Sequence, residues 1–115
     1  MSSVPALSNR RGVPRASLRV NELEAKARGA SAFLKALAHE ARLIILCQLV
    51  DGEKSVSELT RALKLRQPTI SQQLARLRED NLVEARRDGK KIYYSLGRPE
   101  VREIMATLYR SFCRR

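Results

Sequence analysis

Two thiols are the residues of this chain best suited to covalent chemistry. Cys47 lies in the apolar run LIILCQLV and Cys113 in the closing residues SFCRR. Taken singly, each has two readings: a small hydrophobe filling a packing position, or a thiol that reacts with sulfur, oxidants or metals. The sole histidine, His39, precedes the apolar run. It reads as a structural or capping residue rather than a ligand.

A second set of residues is suited to recognition. In QPTISQQLARLRED, Gln72 and Gln73 can bond in bidentate fashion to adenine edges, and Arg76 can reach guanine or phosphate. Gln67 and the hydroxyls of Thr69 and Ser71 stand at the start of the same segment, where phosphates and base edges are within reach. Downstream, RRDGKK supplies Arg86, Arg87, Lys90 and Lys91, cations suited to backbone phosphates or an adjacent minor groove. The bland alternative is a solvated helix face and a solubilised turn. The order of polar face, turn and basic hairpin favours nucleic acid.

Composition agrees. Lys and Arg outnumber Asp and Glu by 23 to 12 in 115 residues, a net charge of +11 that favours a polyanionic partner. Nucleic acid and an anionic membrane surface are the two candidates. Residues 1–18 have no strongly amphipathic face for a membrane. At 4% aromatic, the chain is poor in stacking platforms for single strands, so double-stranded DNA is the expected partner. One histidine, no glycine-rich phosphate loop and no carboxylate pair in an evident pocket argue against an enzyme, and no cofactor or metal is expected. No apolar run has the length of a membrane span or a secretory core. Two cysteines are too few for a secreted disulfide framework, so a cytoplasmic setting is expected, with any bond between them a redox event.

The elements that position these residues follow from periodicity. Residues 1–18, rich in Ser, Pro and Arg, read as a disordered basic arm, and 19–115 as one domain. From Asn21, apolar residues recur at helical spacing through Leu23, Ala27, Ala30, Phe33, Leu34 and Leu37. HEARLIILCQLV reads as a second, largely buried helix. Ser55 and Glu58 have capping-box spacing at the head of a short third helix. A fourth helix carries Pro68 in its first turn, with Ile70, Leu74 and Leu77 facing inward.

LVEARRDGKKIYYSL gives two strands around Asp88-Gly89, the residue pair of a type I′ hairpin. Pro99 opens a last helix with an apolar stripe from Val101 through Phe112. The fold is therefore expected to be mainly α with a β-hairpin wing, in the order α-α-α-α-β-β-α: a winged helix-turn-helix whose fourth helix enters a major groove.

The stretches LKALAHEARLIIL, LRQPTISQQLARLREDNLV and RRDGKKIYYSL resemble the ArsR family of bacterial repressors over about residues 30–113. The resemblance implies a homodimer through the first and last helices and a palindromic operator. Many family members bind metal through Cys-X-Cys before the recognition helix, where this chain has Ser55 and Ser57. Others use ligands on the last helix, where Arg98, Glu100, Ser111 and Arg114 stand. Metal sensing is not expected.

The placement of Cys47 and Cys113, with EARLIILC, GEKSVSEL and GKKIYYSL, resembles the sulfide-responsive SqrR and BigR subgroup. That likeness implies sensing of reactive sulfur by this cysteine pair, release of operator DNA, and control of sulfide-oxidation and detoxification genes. A pair held slightly too far apart for a disulfide would favour a polysulfide bridge. Arg110, Arg114 and Arg115 lie close to Cys113 in sequence and suit it as first nucleophile. Related HlyU-type regulators respond to oxidants more generally, and passive cysteines in a constitutive DNA-binding protein are a further alternative.

Overall fold

The computed structural model describes residues 19–113. The basic arm expected over 1–18 and the cations Arg114 and Arg115 lie outside the described residues. The chain divides into two units, one ending at Lys35 and one beginning at Ala36. Helix α1 (Val20–Leu37) supplies the described part of the first. Its N-terminus is held by Glu22, whose Oε1 accepts from the Arg19 amide at 3.1 Å. Val20, Leu23 and Leu34 on this helix are exposed.

In the second unit, α2 (Glu40–Gln48) is followed by the two-residue strand β1 (Lys54–Ser55) and the short helix α3 (Val56–Ala62). Helix α4 (Gln67–Glu79), strands β2 (Val83–Asp88) and β3 (Lys91–Leu96), and helix α5 (Pro99–Leu108) follow. The last described residues, Tyr109–Cys113, form a π-helical turn rather than a continuation of α5. The expected helix order and wing are present, and the arrangement is a winged helix-turn-helix.

The core is built from one face of each helix. Ile45, Leu46 and Leu49 from α2 and the turn after it, Leu59 from α3, Ile70, Leu74 and Leu77 from α4, and Val101 and Met105 from α5 are all essentially inaccessible. The i, i+4, i+7 spacing of the α4 residues puts them on one stripe. Burying each such side chain is worth about 1.5–3 kcal/mol, so α4 is held firmly against α2 and α3.

The wing is a three-stranded antiparallel sheet in the order β1-β3-β2. Strand β1 had no sequence signature because two residues carry no periodicity. Ser55 serves both structures: it pairs with Tyr93 across the sheet and caps α3. Its hydroxyl accepts from the Glu58 amide at 3.2 Å, and Glu58 Oε1 accepts from the Ser55 amide at 2.8 Å. That bond holds the Glu58 carboxyl below the usual carboxylate range.

The hairpin differs in its turn. Asp88 pairs with Lys91, so the two-residue loop is Gly89-Lys90 rather than Asp88-Gly89. Of the two, only Gly89 has positive φ, at 67°. Type I′ needs positive φ at both central positions, which would strain Lys90. Type II′ needs it only at the first, where glycine stands.

Helix α4 ends in a Schellman motif. Asn81 takes the left-handed conformation at φ 62°, the Leu82 amide donates to the Leu77 carbonyl at 2.8 Å, and the Asn81 amide to Arg78 at 3.0 Å. Gly97 passes close by: a Cβ there would lie 3.0 Å from the Asn81 carbonyl oxygen. The motif thus fixes both the end of α4 and the exit of β3. Replacing Asn81 with Val is expected to lower stability by about 1–2 kcal/mol, and Asn81→Gly to leave it equal or higher. Thermal unfolding followed by circular dichroism measures both.

Candidate nucleic-acid interface and dithiol site

Burial of Ile70, Leu74 and Leu77 turns the opposite face of α4 outward, and there Gln67, Ser71, Gln72 and Arg76 are exposed. Thr69 and Gln73 are half-buried. The helix begins at Gln67 with Arg66 at the N-cap, no side-chain cap and no acidic residue in its first turn. Its positive dipole end and free amides are therefore left for an anion such as a backbone phosphate.

The two glutamines differ. Gln73 Oε1 accepts a hydrogen bond from Arg42 Nε at 3.2 Å. Gln72 is exposed and free to meet a base edge.

The wing cations also differ. Arg86 is exposed and paired at the surface with Glu53, Nε donating to Oε1 at 3.1 Å and Nη2 to Oε2 at 2.5 Å. It also lies 3.8 Å from Asp88 and 5.0 Å from the Tyr93 ring centroid. The Arg86 guanidinium holds the Glu53 carboxyl below its ordinary range. It therefore meets any phosphate already paired with a carboxylate, through a solvent-screened surface contact. Arg87, Lys90 and Lys91 are exposed as well, so the structure brings all four expected wing cations to solvent, with Arg86 already paired to Glu53.

The thiols of Cys47 and Cys113 are neighbours, with Sγ atoms 3.9 Å apart although 66 residues separate them in sequence. Helix α2 carries Cys47 and the π-helical turn ends on Cys113. Both are free thiols, the first half-buried and the second exposed. They border a groove of about 560 Å³ walled by Leu43, Ile44, Leu108, Tyr109 and Phe112, with Glu40 and Gln48 as its polar members. Cys47 was expected on the most buried helix. One side of α2 instead faces this groove, and Ile44 is exposed. Burial, then the hydrogen bond to Cys113, push the Cys47 thiol up to about 11.

The metal positions of the family are otherwise engaged. Ser55 caps α3, and its Oγ lies 3.1 Å from Ser57 Oγ. Glu100 pairs with Arg98 at 3.6 Å. Among the described residues no group of three or more His, Cys, Asp or Glu side chains could hold a metal ion. Nor is any described helix long and apolar enough to cross a membrane.

The family model for bacterial regulatory proteins of the arsR family matches residues 39–85, which span α2 to the first half of the wing. This chain belongs to the ArsR family. It is 45% identical to the biofilm growth-associated repressor of Agrobacterium fabrum, over 79% of this chain and 78% of that protein. Identity to the transcriptional activator HlyU of Vibrio cholerae is 42%, over 85% and 91%. The structure of reduced HlyU aligns with a TM-score of 0.78, covering 83% of this chain and all of that one. That of the transcriptional repressor BigR from Xylella fastidiosa aligns at 0.76, with 41% identity over 83% and 94%. This ArsR chain is thus a DNA-binding transcriptional regulator.

Two interactions carried no sequence signal: Arg42 with Gln73, and Glu53 with Arg86, each joining residues more than 30 apart. For the thiols, a raised pKa at Cys47 gives a reactivity order. At pH 8 the Cys47 thiolate is about one part in a thousand. Iodoacetamide is therefore expected to label Cys113 first, with Cys47 labelling rising steeply only as pH approaches 11. Peptide mass spectrometry across pH measures both.

Proposed function

We propose that this ArsR regulator is a homodimeric repressor that reads a palindromic double-stranded operator and releases it when reactive sulfur links Cys47 to Cys113. The genes it would free are those of sulfide oxidation and detoxification. The 3.9 Å approach of the two thiols carries this reading. Base contacts are assigned to Thr69, Ser71, Gln72 and Arg76, with phosphates taken by Gln67, Arg87, Lys90 and Lys91. Support for the dimer comes from apolar surface left open on its two expected elements: Leu23 and Leu34 on α1, and Phe112, 82% exposed, beyond α5.

The bond chemistry closes without an outside oxidant. The Cys113 thiolate attacks the outer sulfur of a persulfide RSSH, giving Cys113-S-SH and RSH after proton transfer. A second donor extends this to Cys113-S-S-SH with release of another RSH. Cys47 then attacks the sulfur next to Cys113 Sγ and expels H2S, leaving a trisulfide; each zero-valent sulfur is the electron acceptor. One inserted sulfur spans about 3.3 Å, against about 2.0 Å for a disulfide. From 3.9 Å the trisulfide thus needs the smaller closure.

A second reading is a general oxidant response through a plain disulfide, favoured by the likeness to HlyU, whose reduced form is among the similar structures. Treatment with a persulfide donor beside peroxide separates the two. Inserted sulfur between Cys47 and Cys113 by mass spectrometry, with operator release, is expected from the donor. Release by peroxide with a simple disulfide supports the second reading, and a Cys47→Ser chain that still releases DNA sinks both.

For the wing, Lys90→Ala and Lys91→Ala are each expected to flatten the slope of log K against log salt by about 0.9 for every phosphate left without its cation. Arg86→Ala should flatten it less. Fluorescence anisotropy over a salt series measures this.

A further inference from the structure

Arg42 stands on α2, five positions before Cys47, with its side chain only 12% exposed. Its guanidinium has three partners. Nε donates to Gln73 Oε1 at 3.2 Å, and Nη1 donates to the Ala36 carbonyl at 2.9 Å and faces Asp80 Oδ2 at 3.4 Å. Gln73 and Asp80 are seven residues apart, two helical turns, so Arg42 grips one side of α4 in its middle and at its C-cap. Ala36 ties the same guanidinium to the backbone leading into α2. A planar fork with five donors suits this three-way bond, and a lysine ammonium does not reproduce it.

We propose that Arg42 is a positioning residue for operator reading, which fixes Gln73 as an anchor so that Gln72, rather than the Gln72-Gln73 pair, meets the bases. Bidentate reading of adenine uses a glutamine's carbonyl oxygen and its amide nitrogen together. The Gln73 oxygen is already turned toward α2, and withdrawing it would leave a largely buried guanidinium N–H unpaired. Gln72, one residue earlier and a hundred degrees or so around the helix, is exposed. Arg42 therefore sets how α4 is rolled against the core, and that roll decides which side chains point into a groove.

The test uses the reduced full-length chain. Wild type and each variant select sites from a random-sequence duplex pool, and fluorescence anisotropy gives affinity for the wild-type site. Arg42→Lys and Gln73→Ala are each expected to weaken binding about tenfold. The double variant should lose no more than the worse single, and both singles should select the same bases as wild type. Gln72→Ala should change the base selected at one position of each half-site.

The proposal is overturned if Gln73→Ala changes a selected base, if the two losses multiply in the double variant, or if Arg42→Lys binds as wild type. Should Arg42→Lys fail to fold, judged by circular dichroism, base selection by Gln73→Ala against Gln72→Ala decides alone.

Discussion

The burial of Ile70, Leu74 and Leu77 is the constraint on which the rest of the ArsR regulator's surface depends. Three fully enclosed aliphatic side chains on one stripe leave α4 a single way to lie against α2 and α3. Every polar residue between them is then assigned a direction. Those opposite the stripe face solvent, and those at its border, such as Gln73, meet neighbouring helices. The proposed recognition surface is thus a by-product of core packing, and needs no separate folding device. Its far end is fixed by the Schellman turn at Asn81, which also leads the chain into β2 and so sets where the wing begins.

Helix α2 joins the parts that would otherwise be independent. Its inward face holds Ile45 and Leu46 in the core, Arg42 reaches α4, and Cys47 faces Cys113. Nine residues therefore touch the core, the proposed DNA-reading element and the proposed sensing element at once. A bond at Cys47 that favours a different seating of α2 would be felt at Gln73 and Asp80 through one rigid side chain. Such a bond shifts operator affinity only by the difference in its stability between the two seatings.

Much of this was legible in the sequence because it is written in local patterns. The i, i+4, i+7 stripe of α4, the Ser55–Glu58 capping box and the glycine-containing hairpin are each confined to a few neighbouring residues, and each is present in the structure. What could not be read depends on distant partners. Arg86 has the same local setting as Arg87, yet pairing with Glu53 on the far side of the sheet separates the two. Gln72 and Gln73 are likewise adjacent and alike in sequence, and only Arg42 distinguishes them. The hairpin shows a subtler limit: Asp88-Gly89 marks the turn correctly, but strand pairing moves the loop one residue on, to the position where a single positive φ suffices.

The proposed sensing chemistry turns on an asymmetry that burial creates between two identical groups. Cys47, its pKa raised to about 11, is a poor nucleophile toward a donor in solution, because the environment that holds it against α5 disfavours the thiolate. Cys113 is exposed and meets the donor first. Once Cys113 carries extra sulfur, Cys47 no longer competes with solvent thiols for its target. Its partner is held one atomic contact away, and proximity substitutes for thiolate fraction.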